Sequence, residues 1–518
     1  MNSDPIFNVR LAVGALNVLG KGVYVAMNGR VLNWDKCQRD ARTGQFLEKS
    51  SRSQRIDTVG FDMVVWRVHP KMRIFRRSSM DRRKFLKNSA LGVAGAGVFG
   101  GKSLLQAEEQ KESTAKIREY RTLGRTGFKV SDISTGGPGD EALLSALLDA
   151  GVNYIDNAES YWNGKCESIV GTVMKNRDRK KVFLTTKQVI HPYPGMPYKE
   201  EENTKEGIKK RFHKSLERMQ TDYADCLMIH SVPDENVLRH EGFHAAVKEL
   251  KAEGKLKHAG ISNHGSVDPG QTEVMGKVIM AAAEDGRFDV VLMTYNHLQE
   301  DLSLDALKAC HDKKIGVTLM KTNPVGGYLG MKAALEKLQK EEKEIPKYLK
   351  EELPLMEKKY EDAQEFLKKY NLEDPKDIRN AAIKFCLNNE KVHSICISFR
   401  NFEDVDQYVG LSGKRLTTAD RTALAVYAKA FGQFYCRHAC GICESSCPQK
   451  VPVNTVMRYN HYFAAQGREK YAMELYAKLN TEIAKNCLNC DGACEASCPY
   501  NVPVQKLLIL ADQTLTLA

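Results

Sequence analysis

Eight of the fourteen cysteines lie in two tight runs near the C-terminal end, Cys436-x3-Cys440-x2-Cys443-x3-Cys447-Pro448 and Cys487-x2-Cys490-x3-Cys494-x3-Cys498-Pro499. Clusters of this kind point to metal ligation and away from disulfides. Thiolates are soft ligands that suit zinc or iron-sulfur clusters, and the closing Cys-Pro pair favours the clusters. The other six cysteines stand singly, and Cys226, Cys310, Cys386 and Cys396 are expected to be small buried apolar residues.

From Glu119 onward short β-rich runs alternate with helix-length segments. The candidate strands are Ile133 to Thr135, Tyr154 to Asp156, Val182 to Thr186, Cys226 to Ile229, His258 to Ile261, Val290 to Met293, Gly316 to Met320 and Ser394 to Ile397. Eight strands so separated predict an α/β fold, a closed (β/α)8 TIM barrel over residues 119–430. An open doubly wound sheet would read similarly, but Gly136-Gly137-Pro138-Gly139 does not match the dinucleotide fingerprint. Between the seventh and eighth strands, residues 331–375 lack a continuous apolar face, and Pro346 and Pro354 should break any helix there. A protruding helical hairpin is expected, either a solvated decoration or a lid. The cysteine runs fall in a second, mainly helical domain, residues 431–518.

The segment Gly151-Val-Asn-Tyr-Ile-Asp156-Asn-Ala-Glu-Ser-Tyr161, continuing to Glu167 and Gly171, resembles the signature of the aldo/keto reductases. That resemblance implies a catalytic tetrad of Asp156, Tyr161, Lys187 and His230, all at or just past the ends of strands two, three and four. Reducing a carbonyl with a nicotinamide requires a hydride at carbon and a proton at the oxygen where negative charge develops. Tyr161 would donate the proton, Lys187 would lower the phenol's pKa, Asp156 would fix Lys187, and His230 would orient the substrate oxygen. The resemblance further implies NADP(H) as cofactor, with Ser262 and Asn263 holding the nicotinamide amide and Tyr295 stacking on its ring. Ser398 and Arg400 would meet the phosphates. Leu292 replaces a glutamine frequent in the family, and Trp162 and Cys166 replace a glycine and a serine.

Both cysteine runs resemble the bacterial ferredoxin run, each with one extra spacer residue, and that residue is the main support for zinc. By analogy with two-cluster ferredoxins, Cys436, Cys440 and Cys443 would join Cys498, and Cys487, Cys490 and Cys494 would join Cys447, around two 4Fe-4S clusters. Some aldo/keto reductases carry such a C-terminal domain. The expected function is therefore an oxidoreductase acting on a small carbonyl or alcohol, with a possible electron-transfer partner. The alternative is an electron-transfer or docking protein whose barrel is not a free-turnover reductase.

The formal charge of +12 is spread along the 518 residues without forming a stripe, so nucleic acid is not an expected partner. No apolar stretch approaches the roughly 18 residues of a spanning helix. Met80-Asp-Arg-Arg-Lys-Phe-Leu-Lys87 followed by an uncharged, Gly- and Ala-rich stretch resembles a twin-arginine export signal over residues 80–107, which implies a periplasmic destination; an ordinary basic amphipathic helix is the other reading, with a cytoplasmic protein. Residues 1–79 would then be an over-extended start or a small accessory segment, and residues 108–118 a polar linker.

Overall fold

Eight parallel strands close on one another in chain order in the computed structural model. They are β1 (Ile133–Gly136), β2 (Tyr154–Asp156), β3 (Phe183–Gln188), β4 (Ala224–Ile229), β5 (Leu256–Asn263), β6 (Val290–Thr294), β7 (Gly316–Met320) and β8 (Ser394–Ile397). The ring closes where Ile395, Cys396 and Ile397 of β8 pair with Ile133, Ser134 and Thr135 of β1. The described residues are 115–516, without 194–197, 266–274, 325–346, 373, 465 and 480–482, together with the short strands Val23–Met27, Arg30–Asn33, Cys37–Arg39, Phe46–Glu48 and Val65–Arg67. The segment expected to be an export signal lies outside them. Compactness divides the chain into Met1–Glu108 and Glu109–Ala518.

The strands read as nearly continuous apolar runs because both of their faces are covered. Tyr154, Phe183, Cys226, Met228, Val290 and Leu292 point into the barrel, while Ile155, Leu184, Leu227, Val291 and Met293 meet the surrounding helices. An antiparallel hairpin, Tyr120–Thr122 with Lys129–Ser131, brings Leu123 and Val130 into the interior set and plugs the N-terminal end beside Gly316. The opposite, C-terminal end is therefore the one left for chemistry.

The expected break at Pro354 does not occur. Helix Lys347–Lys369 runs through that proline, and the residues before it, 325–346, lie outside the described residues. Packing explains the outcome: Ala363 and Leu367, one turn apart on one face, are buried with Ala423, Leu424 and Tyr427 of helix Thr418–Phe431, so tertiary contact offsets the missing backbone bond. The apolar face judged absent is thus present in the helix's second half.

Beyond Phe431 the chain is helical, in Val453–Ala464, Glu469–Ala477, Ile483–Leu488 and Val504–Leu515. Its core is continuous with the barrel's surroundings, because Leu298 from the β6 loop and Ile378 share one cluster with Phe431, Val456, Leu508 and Ile509.

Candidate active site

Strand parity carries the tetrad inward. Asp156 follows Tyr154 by two residues and Lys187 follows Phe183 by four, so both point into the barrel at its C-terminal end. Lys187, fully buried, donates from Nζ to Asp156 Oδ2 at 2.7 Å, to the Asn157 carbonyl at 2.7 Å and to the Tyr161 hydroxyl at 3.4 Å. His230 follows β4, and its ring meets that of Tyr161 edge-on at 5.6 Å between centroids. Ser160 Oγ lies 3.4 Å from its Nδ1. Trp162 and Asn163, next in chain, are held in the left-handed region at φ 49° and 56°, where a glycine would be unstrained. The exposed Trp162 ring rests against Gly139, so the turn that carries Tyr161 is braced on the loop after β1.

The electrostatics differ from expectation at Tyr161. Burial, then the Asp156 carboxylate, pushes its phenol well above the ordinary value of 10. The ammonium is closer to Asp156, at 2.7 Å, than to the phenol, at 3.4 Å. Burial also raises Asp156, an effect opposed by Lys187. His230 is driven well below 6.5 by burial and by the charge of Lys187, so its ring is neutral at neutral pH. The set thus holds a protonated phenol, a buried ion pair and a neutral imidazole around one point.

The expected cofactor residues are less uniformly placed. Tyr295 faces outward: one residue past Thr294 in β6, it has the parity of Val291 and Met293, and it stacks on Phe385 at 5.4 Å outside the barrel. Ser262 Oγ accepts from the Ser231 amide at 2.9 Å, and Asn263 donates to the Val232 carbonyl at 2.7 Å while accepting from the Gly265 amide. Both are at the mouth, already engaged in bracing it. Ser398 and Arg400 are exposed in the turn after β8, at the N-terminus of helix Phe402–Val409, with Arg400 Nε 3.5 Å from Asp404. An exposed guanidinium beside a helix N-terminus fits a phosphate.

The two cysteine runs interleave in space. One cavity is lined by Cys436, Cys440, Cys443 and Cys498, together with Asn454 and Tyr500. Burial raises the Cys436 thiol and the neighbouring Cys440, Cys443 and Cys498 add to that; Cys487 is pushed up to about 12 by burial and then by Cys494, Cys447 and Cys490. The four cysteines of that cavity are one of the sets that the ferredoxin analogy groups, and Cys443 is also acted on by Cys494 of the other run. Asn454 Nδ2 donates to Cys436 Sγ at 3.8 Å and the Val451 amide to Cys447 Sγ at 3.4 Å. Of the single cysteines, Cys226, Cys310 and Cys386 are buried, and Cys396 is half-buried against Ser134.

The loop from Cys436 to Cys440 is seated directly on the barrel. Arg437 donates to the Leu298 carbonyl at 3.0 Å, the Met275 amide donates to Ala439 O at 3.2 Å, and Thr294 Oγ1 donates to His438 O at 3.4 Å. Gly265, at φ +91°, permits the contact, since a Cβ there would lie 2.9 Å from Ala439 Cα. Sequence reasoning missed this seam because its partners are far apart in the chain.

The profile of the aldo/keto reductase family matches residues 139–425. The chain belongs to that family. It is 27% identical over 246 residues to an aryl-alcohol dehydrogenase of Pestalotiopsis microspora, a match covering 44% of this chain and 60% of the relative. It is 29% identical over 215 residues to the NADH-specific methylglyoxal reductase of Escherichia coli, covering 38% and 62%. The chain thus spans about three-fifths of the length of these curated relatives. Among solved structures, an aldo-keto reductase from Bacillus halodurans aligns over 61% of this chain and 97% of its own at 23% identity, with a TM-score of 0.44.

Proposed function

We propose that the protein reduces a small carbonyl compound, or oxidises the corresponding alcohol, with NADP(H), and that electrons enter or leave through two 4Fe-4S clusters. The observation that carries the reductase reading is Lys187 bonded at once to Asp156 and Tyr161 beside a neutral His230. A bound nicotinamide would supply the hydride. Tyr161 transfers its phenolic proton to the carbonyl oxygen as charge grows there, Lys187 stabilises the phenolate left behind, and His230 positions that oxygen by hydrogen bonding. Arg400 and Ser398 favour the phosphorylated cofactor.

The cluster reading rests on the two sets of four cysteines. Among the described residues no group of three or more His, Cys, Asp or Glu side chains is gathered tightly enough for a single metal ion. The closing Cys-Pro pairs and the N–H···S bonds suit a cluster. Cys436, Cys440, Cys443 and Cys498 would hold one and Cys447, Cys487, Cys490 and Cys494 the other.

A second reading, an electron-transfer protein with a vestigial reductase site, is favoured by the outward Tyr295 and by the engaged Asn263. The two are separated by supplying NADPH and a panel of aldehydes and ketones to anaerobically purified protein. Carbonyl-dependent NADPH oxidation is expected. Clusters that a reduced ferredoxin can bleach, with no nicotinamide consumed by any carbonyl, would favour the second reading.

We also propose export by the twin-arginine route, which carries folded proteins and so suits a chain that acquires its cofactors in the cytoplasm. Changing Arg82→Lys and Arg83→Lys together is expected to leave folded protein in the cytoplasm, checked by cell fractionation. An unchanged location, or a mature N-terminus within residues 1–79, would end the export hypothesis.

A further inference from the structure

Helix Val453–Ala464 lies across the C-terminal mouth of the barrel. Its Arg458 donates from Nη1 to His264 Nδ1 at 2.7 Å and to the His264 carbonyl at 3.0 Å, just past the end of β5. His264 in turn meets Ser231 Oγ at 3.0 Å, next to His230 of the tetrad. One turn on, Tyr462 occupies the same face of the helix as Arg458. Lys321, the residue after β7, is held at φ 56° with its Nζ 4.4 Å from the centre of the Tyr462 ring. Arg468, whose amide donates to the Tyr462 carbonyl, brings its guanidinium within 5.8 Å of the same ring. Tyr462 and Tyr471 also lie close enough to Tyr161 to act on its phenol.

Lys321 and Arg468 therefore flank one phenol, and Arg458 lies one turn before it on the same helix face, its guanidinium 5.6 Å from the centre of the Tyr459 ring. Among the described residues none of the three makes an ion pair with a carboxylate. Arg458 is 1% exposed, and its Nε has no hydrogen-bond partner. His264, its nearest partner, is driven well below 6.5 by burial and by the charges of Arg458 and Lys321, so it accepts from the guanidinium as a neutral ring. Burial raises the Tyr462 phenol, and Lys321, Arg458 and Arg468 more than offset that, leaving it below the ordinary 10. A buried, uncompensated positive charge is costly unless an anion answers it.

We infer that this chamber, formed by Lys321, Arg458, Arg468 and Tyr462, binds the oxyanion group of the substrate, a carboxylate or a phosphate, and so selects an anionic carbonyl compound for the tetrad below. The substrate part of the inference rests on the reductase reading; the oxyanion site does not. An oxyanion here meets two guanidinium groups, an ammonium and a phenol, a donor set suited to bidentate recognition. The two ends of such a substrate would be gripped by different parts of the chain: the carbonyl by the barrel, the charge by the helical region and the β7 loop.

The test uses full-length protein purified anaerobically, with Lys321→Gln and Arg468→Gln, both at half-buried positions; Arg458→Lys serves as a third variant, with circular dichroism checking its fold. Calorimetric titration with malonate and with inorganic phosphate is expected to show binding that weakens about tenfold or more in each variant. Whichever of the two binds more tightly identifies the group. In turnover, a 2-oxo acid should be preferred over the aldehyde of equal chain length by about 100-fold in kcat/KM. The variants should lose most of that preference through KM. Binding of neither anion by the wild-type protein at millimolar concentration would overturn the inference. So would variants that weaken NADP binding as much as anion binding, because the chamber would then belong to the cofactor's phosphate. If anions bind and the variants lose them, yet no carbonyl of any kind is turned over, the oxyanion site stands and the reductase reading fails.

Discussion

Replacing Tyr161 with phenylalanine is expected to slow carbonyl reduction by about 100-fold or more while NADP affinity stays within about twofold. The ring would still pack edge-on to His230 and against Gly137, so the variant removes one hydroxyl and little else. Its loss falls on the transition state, where the oxygen gains charge, and should therefore appear in kcat. The pH profile adds a sign. The acid is the protonated phenol, and its pKa is raised by burial and Asp156, so the wild-type rate should hold as pH rises and fall only above 10. A plateau ending well below that would mean that Lys187 lowers the phenol after all in the loaded enzyme. Undiminished turnover in Tyr161→Phe would remove this residue from the mechanism.

The second large effect concerns iron. Anaerobically purified protein is expected to contain about eight irons, four per cluster, and Cys498→Ser about four. Interleaved ligation can be told from ligation run by run with two double variants. If Cys498 shares a cluster with Cys443, the pair Cys443→Ser and Cys498→Ser should lose no more iron than Cys498→Ser alone, whereas Cys494→Ser with Cys498→Ser should lose nearly all of it. The reverse pattern would assign each run its own cluster. Stoichiometric zinc without visible charge-transfer absorption would remove the clusters altogether.

The barrel was legible because its strands, covered on both faces, leave short unbroken apolar runs in the sequence, and every expected strand lies within a residue or two of an observed one. The tetrad was legible because Asp156, Lys187 and His230 sit on or beside those strands and Tyr161 shares the recognisable segment of Asp156. The packing of Tyr295 on Phe385 was not legible, because facing in or out turns on a single residue of register, which a motif does not report. Pro354 was misjudged because the contacts that hold Ala363 and Leu367 come from a helix more than fifty residues further along the chain. The phenol's pKa was misjudged because the effect of burial at Tyr161 cannot be read from the types of its neighbours. The oxyanion chamber had no local signature at all: Lys321 stands alone in its segment, and Arg458 with Tyr462 reads as an ordinary helix face until the two are brought together.

The seam between Gly265 and Ala439 also sets a schedule. Tyr161 leaves the ribosome about 300 residues before Arg458, which at roughly 5–20 residues per second is an interval of about 15–60 seconds. During it the barrel can close on its own strands with its mouth still open to the cytoplasm. The covering helix settles only when Val504–Leu515, the last helix, packs against it, and the cavity of Cys436 gains its fourth sulfur from residue 498 at nearly the same moment. The mouth of the barrel is therefore built first and covered afterwards, by the residues made last.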